Sequence, residues 1–164
     1  AYQTAGRLHE AIKLFEQNLE DSTRILDPHH PSTLTARHNL ASAYHDAGRL
    51  HEAIPLYQQT LKDSTRILGP NHPHTLTTRN NLASAYHDAG RLDEAIPLLE
   101  QTLEDRTRIL GPRHPDTLIS RDNLAGAYRA TGRFDDADSL FETPSDSEDE
   151  QDDTEEDPDR ETGD

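Results

Sequence analysis

Four glycines, Gly6, Gly48, Gly90 and Gly132, each open a Gly-Arg-(Leu/Phe) step, and successive ones stand 42 residues apart. The same interval separates Tyr2, Tyr44, Tyr86 and Tyr128, then Ala11, Ala53, Ala95 and Ala137, and the pairs His30-Pro31, His72-Pro73 and His114-Pro115. Residues 39–50 and 81–92 are the same letters, NLASAYHDAGRL. A strict period in this range belongs to chains built of stacked units rather than around one central core. Length therefore sets the number of units, and 164 residues hold three and a half of them. Ordering one 42-residue unit at about 1.5 kcal/mol per residue costs on the order of 60 kcal/mol. A lone unit cannot offset that, so each must bury its apolar face against the next.

Within a unit, proline at the first helical position predicts a helix from Pro31 that ends before Gly48. Leu34, Leu40, Ala41 and Tyr44 share one side of it, at the spacing that buries a stripe. The other side reads Thr35, His38, Asn39, Ser42, His45 and Asp46. A second helix is expected over 50–68, turning Leu50, Ala53, Ile54, Tyr57, Leu61, Ser64, Ile67 and Leu68 inward. Pro55 and Pro97 fall near its first turn, where a missing N–H costs least. Gly69-Pro70 and Gly111-Pro112 stop the helix, with Asp27-Pro28 in their place in the first unit. The expected elements are a helix remnant over 1–5 and helices over 8–26, 31–47, 50–68, 73–89, 92–110, 115–131 and 134–142. No stretch alternates with the period of a strand, so the fold class is all-α.

Net charge is −16, of which −11 sits in residues 143–164, leaving −5 for residues 1–142. The domain reading is thus a repeat array over 1–142, divided as a partial repeat 1–30 and repeats 31–72, 73–114 and 115–142, followed by a disordered acidic tail over 143–164. Without cysteine there is no disulfide, thiolate metal site or cysteine nucleophile, and a reducing, cytoplasmic interior is the default. No run is long and apolar enough to span a membrane, and a chain this acidic repels nucleic acid. The complete lack of Met suggests an excised or processed segment. AYQTA reads as a truncated first helix, and nothing amphipathic follows Phe141, so uncapped ends also allow self-association.

The order Leu40-Ala41-x-x-Tyr44-x-x-x-Gly48-Arg49-Leu50-x-Glu52-Ala53-Ile54-x-Leu56-Tyr57, with Leu61 after it, resembles the tetratricopeptide repeat signature. It recurs over Leu82–Leu103 and, more weakly, over Leu124–Phe141. The HPxTL opening and TRILGP closing are similar to the longer variety found in kinesin light chains and in bacterial and fungal regulators that append such arrays to a nucleotide-driven switch domain. The resemblance implies a right-handed superhelix, an α-solenoid of antiparallel helix pairs. Its first helices would line a concave surface that captures a peptide or protein partner. The polar stripe read from the helical wheel is that surface: Thr35, His38, Asn39, Ser42, His45 and Asp46, then Thr77, Asn80, Asn81, Ser84, His87 and Asp88. In the last repeat it continues through Ile119, Asp122, Asn123, Gly126, Arg129 and Ala130.

Asn39, Asn81 and Asn123 stand where the family often uses Asn to bond a ligand's backbone, and an amide can donate and accept at once. Family members that grip acidic peptides or a terminal carboxylate use Lys and Arg here. This chain offers only Arg129 against Asp46, Asp88 and Asp122, which points to a neutral or basic peptide. A second reading makes the segment a sensor or oligomerisation element of a larger nucleotide-switch (STAND-type) regulator.

His30, His72 and His114 precede the helix-opening prolines and lie a repeat apart, which suits capping rather than a shared ion. His45 and His87 fit solvated groove lining with scope for pH dependence. Recurrent Thr-Arg at Thr23-Arg24, Thr65-Arg66 and Thr107-Arg108 suits an outer helix face with acids one turn earlier. No phosphate loop, Ser/His/Asp set or HExxH is present, so no catalytic residue, metal site or cofactor is expected and the chain reads as non-enzymatic. Ser147 and Thr154 in the tail precede acidic runs that would suit a kinase or a basic partner.

Overall fold

A computed structural model describes residues 2–142; the expected acidic tail lies outside the described residues. Seven helices and no strands occupy them: α1 (Tyr2–Ile25), α2 (Pro31–Asp46), α3 (Leu50–Ile67), α4 (Pro73–Asp88), α5 (Leu92–Leu110), α6 (Pro115–Ala130) and α7 (Phe134–Ser139). Each packs on the helix before and after it, and α2 also touches α4 as α4 touches α6. This is an all-α solenoid in which α2, α4 and α6 form one layer and α1, α3, α5 and α7 the other.

Each unit is punctuated by the same two devices. At the start of α2, α4 and α6 the imidazole Nδ1 of His30, His72 or His114 accepts from the backbone N–H two residues on, at 3.1, 3.1 and 3.2 Å. That satisfies one of the four donors a helix start leaves over, and the capping role expected of these histidines is the one observed. At the other end of α2, Gly48 adopts φ 70°. Its N–H reaches His45 O at 2.8 Å while Arg49 N–H reaches Tyr44 O at 2.8 Å. This doubly bonded left-handed stop repeats at Gly90 and Gly132, and it folds the second helix back onto the first.

The returning arginine then lies on the tyrosine it has just passed. Arg49, Arg91 and Arg133 stack over Tyr44, Tyr86 and Tyr128 at 4.4, 4.5 and 4.1 Å from the ring centres. The tyrosine hydroxyls reach the preceding second helix, donating to Glu16 and Glu100 at 2.6 Å and accepting from Gln58 at 2.7 Å. Ala41, Ala83, Ala125, Ala53, Ala95 and Ala137 are fully buried and allow the close helix approach.

Three expectations need correction. Helix α1 runs unbroken through Gly6, where a turn was expected between a remnant and helix 8–26. Continuing α1 through a glycine costs about 1 kcal/mol and keeps the backbone hydrogen bonds around it within one helix. Helix α7 stops at Ser139 rather than 142. Pro55 is the sixth residue of α3, past the donors that lack acceptors. The carbonyl it leaves unserved belongs to His51, an exposed residue that water can satisfy.

Charge is also buried between layers. Arg37 on α2 donates to Asp63 on α3 at 2.7 Å and to Pro28 O at 3.1 Å. Arg79 repeats both contacts with Asp105 at 2.8 Å and Pro70 O at 3.2 Å. These arginines staple the loops that open these two units to their second helices.

Candidate polar face on α2, α4 and α6

The layer of first helices turns its apolar stripe inward, with Tyr44, Tyr86 and Tyr128 at 8, 5 and 7% exposure. The polar stripe stays accessible through Thr35, Asn39, Asp46, Thr77, Asp88, Asp122 and Arg129, which are exposed. His38, Ser42, His45, Asn81, Ser84, His87, Asn123 and Gly126 are half-buried. Asn80 departs from the expected stripe: it is 5% exposed, because α6 closes over it.

The stripe is cross-linked from one first helix to the next. The His38 ring meets Thr78 Oγ1 through Nδ1 at 3.0 Å and the amide nitrogen of Asn81 through Nε2 at 3.3 Å. Since an amide nitrogen can only donate, Nε2 is the acceptor and Nδ1 carries the hydrogen. One repeat later, Asn80 Oδ1 accepts from Ser120 Oγ and from Asn123 Nδ2, each at 3.4 Å. Thr77 accepts from Arg106 at 3.3 Å. Asn81 and Asn123 therefore each commit one N–H to the scaffold, and the carbonyl oxygen and second N–H of each make no further hydrogen bond of good geometry.

Electrostatics differ between the two clefts. Between α2 and α4, His38 lies 5.3 Å from His74, ring centre to ring centre, and 5.5 Å from Tyr57. Burial first, then the charge His74 would carry, push His38 down to about 4. His74, itself pushed down by burial and by His72, keeps both ring nitrogens buried without a partner. Across the groove, His45 Nε2 and His87 Nδ1 reach the two oxygens of Asp88 at 2.8 and 3.1 Å. Burial works against the Asp88 carboxylate, but those hydrogen bonds outweigh it and hold the group below the usual range.

The clefts also differ in shape. Tyr57 fills the first: it is fully buried, with its hydroxyl beside Ser42 and Asn81, and makes no hydrogen bond of good geometry. Leu99 holds the same register in the second, and a recess of about 330 Å³ opens there between α4 and α6. Asp88 and Asp122 stand on its walls, with Gly126 opposite Ser84. A larger hollow of about 440 Å³ lies along α1, beside Leu14, Ile25 and Leu26.

Sequence reasoning did not single out His74 or Leu99 for the face. The only signal for them was a departure from the repeat: His74 follows Ser32, and Leu99 follows Tyr57. Among the described residues no group of three or more His, Asp or Glu could hold a metal, and no helix is long and apolar enough to cross a membrane.

The family pattern of the tetratricopeptide repeat matches residues 1–63, 38–104 and 78–143. Among solved structures, the nearly identical TPR-like repeats of a Podosopora anserina chain assigned as a kinesin light chain are 37% identical, with a TM-score of 0.78. The match covers 85% of this chain and 66% of that one, and a variant of the same protein gives the same values. BtubC (BKLC) from P. vanneervenii is 25% identical with a TM-score of 0.76, over 83% of this chain and 54% of that one. This chain thus spans less than two thirds of the length of these structures. No curated protein matches it.

Proposed function

For a chain that belongs to the tetratricopeptide repeat family, whose repeats generally mediate protein–protein interaction, we propose a non-catalytic scaffold that binds a partner segment along the face of α2, α4 and α6. The observation that carries this reading is the unspent hydrogen-bonding capacity of Asn81 and Asn123. Each side chain is oriented by a bond to the neighbouring first helix and is left with an acceptor and a donor that no well-formed hydrogen bond uses. A pre-oriented amide costs little ordering on binding and matches the N–H and C=O of a peptide unit. Asn39, in the same register on α2, is exposed and extends the row.

The partner segment is neutral or basic. Asp46, Asp88 and Asp122 are exposed along the face, whereas Arg129 is its one Lys or Arg and already lies 3.4 Å from Asp138. Shape and hydrogen bonding set direction, and the acids exclude anionic segments.

The test uses random ten-residue peptides displayed on phage and selected on the wild-type chain. The double variant Asn81→Ala/Asn123→Ala is expected to lose the selected peptides at least tenfold in affinity with an unchanged circular dichroism spectrum. Peptides that bind the double variant as tightly as wild type, or acidic peptides that outcompete basic ones at low salt, would overturn the reading.

A further inference from the structure

We propose that the recess between α4 and α6 is a socket for one arginine side chain of the bound segment. The inference rests on the preceding reading that this face binds a peptide, and it names the residue type that the second cleft selects.

Residues 39–50 and 81–92 are identical, so α2 and α4 give the two clefts the same first wall over that stretch, and the clefts differ in the residues at the positions that face it. Three of those positions converge on the recess. Leu99 replaces Tyr57 and removes the ring that fills the first cleft. Gly126 replaces Ser84 on the wall contributed by the following first helix. Asp122 replaces Asn80, putting a carboxylate where the first cleft has a neutral amide.

Packing does not require the glycine. It sits inside α6, where glycine costs about 1 kcal/mol against alanine. A Cβ built on it would meet nothing within 4 Å. The helix gives up stability there without relieving a clash, and what it gains is room in the recess.

Shape and charge then select the guest. Tyr57 shows that the corresponding slot takes a flat group entering beside Ser42 and Asn81. A guanidinium is flat as well, and its three-carbon stem can lie on Leu99 as the head reaches the carboxylates. Asp88 accepts only one bond on each oxygen from His45 and His87, so two of its lone pairs remain. Asp122, on the α6 wall of the same recess, adds a second negative charge, so the fork can bond Asp88 while both acids draw its charge. A lysine would bring the charge without the flat fork; an aromatic residue would bring the plane without the charge.

The experiment extends the selection of random ten-residue peptides to Leu99→Tyr, which restores the ring of the first cleft in a register where the fold already buries one. Asp122→Asn is the second variant, keeping the shape and removing the charge. Arginine should be fixed at one position in peptides selected on wild type and absent from those selected on Leu99→Tyr. Replacing that arginine with citrulline, its uncharged counterpart, should weaken binding to wild type at least tenfold and to Asp122→Asn by under threefold. Arginine that is not enriched, or is enriched equally on Leu99→Tyr, overturns the proposal. If Leu99→Tyr has no effect while Asn81→Ala/Asn123→Ala abolishes binding, the face binds peptides and the recess is not an arginine socket. If neither variant changes binding, or wild type selects nothing, the reading of the whole face fails with it.

Discussion

Replacing His38 with asparagine should make the protein more resistant to acid without weakening it near neutrality. Asn80 holds the same register in the next repeat and makes the corresponding bonds to the following first helix, so asparagine suits the position. The histidine differs in that it titrates. Facing it are His74, Thr78 and Asn81 from α4 and Tyr57 from α3, with no carboxylate among these contacts to favour its charged form. Burial and His74 bring it from 6.5 down to about 4. A proton on Nε2 would also point at the Asn81 amide nitrogen, setting donor against donor.

Because the folded-state value lies below the unfolded one, this contribution to stability is complete above 6.5 and is lost as pH falls through about 4. At 1.36 kcal/mol per unit the full window amounts to about 3 kcal/mol. Asp88 and Asp105, also held below the usual carboxylate range, weaken the fold in acid too, but equally in both proteins. The difference between wild type and His38→Asn therefore isolates the histidine. Urea unfolding followed by circular dichroism should give curves within about 1 kcal/mol at about pH 7.5 and a lead for the variant of about 2 kcal/mol at about pH 4.5. A difference that stays flat across that range would refute the reasoning, because His38 would then bind its proton as readily folded as unfolded.

Asp27 has φ 118°, the one non-glycine at positive φ among the described residues, in the register held by Gly69 and Gly111. Asp27→Gly should raise stability by about 1 kcal/mol, read as a higher melting temperature, because relief of the backbone exceeds the exposed 2.7 Å bond from His29 N–H to its carboxylate. Asp63→Ala should cost about 3 to 5 kcal/mol by leaving Arg37 buried and unpaired, and Arg37→Leu added to it should recover most of that loss in denaturant titrations. Burial, then the bonds to Glu16 and Glu100, push Tyr44 and Tyr128 up to about 12. Their contribution is intact below 10 and is lost as pH rises through about 12. Ultraviolet titration should therefore show Tyr44 and Tyr128 among the late tyrosinates, together with Tyr57, which burial also pushes up, and Glu16→Gln should bring Tyr44 earlier.

The period, the helix pairs, the glycine stops and the histidine caps were readable in the letters because each is decided within a few residues of itself. Gly48 needs only its own backbone, and His30 only the N–H two residues on. Burial of Asn80 could not be read that way. On its own helix it shares the outward side with Thr77 and Ser84, and it becomes covered only because α6 crosses above it. Arg37 and Asp63 lie 26 residues apart in sequence, and neither carries a local mark of the pair they form. Gly6 misled because glycine permits a turn without imposing one, and α1 runs straight through it. The stripe itself was legible, but which of its groups are spent on neighbouring repeats is a property of the stack.

In a stack where each unit touches only its neighbours, identical units would build identical junctions. Here the letters that vary between units vary in contacting pairs. His38 meets Thr78, and one repeat later Asn80 meets Ser120. The residues standing where Thr78 and Ser120 stand change from Ala36 to Thr to Ser along the chain, and those in the His38 register change to Asn80 and then Asp122. At Thr78 and Ser120 the hydroxyl meets the side chain that the preceding first helix offers it. The repeat thus specifies the stack, and departures from it give each cleft its own chemistry: a titrating, aromatic-filled junction between α2 and α4, and an open acidic one between α4 and α6. Exchanging Tyr57 and Leu99 between registers should exchange the recess with them while leaving the helices in place. The sites that distinguish partners are therefore to be sought at the positions where the period fails.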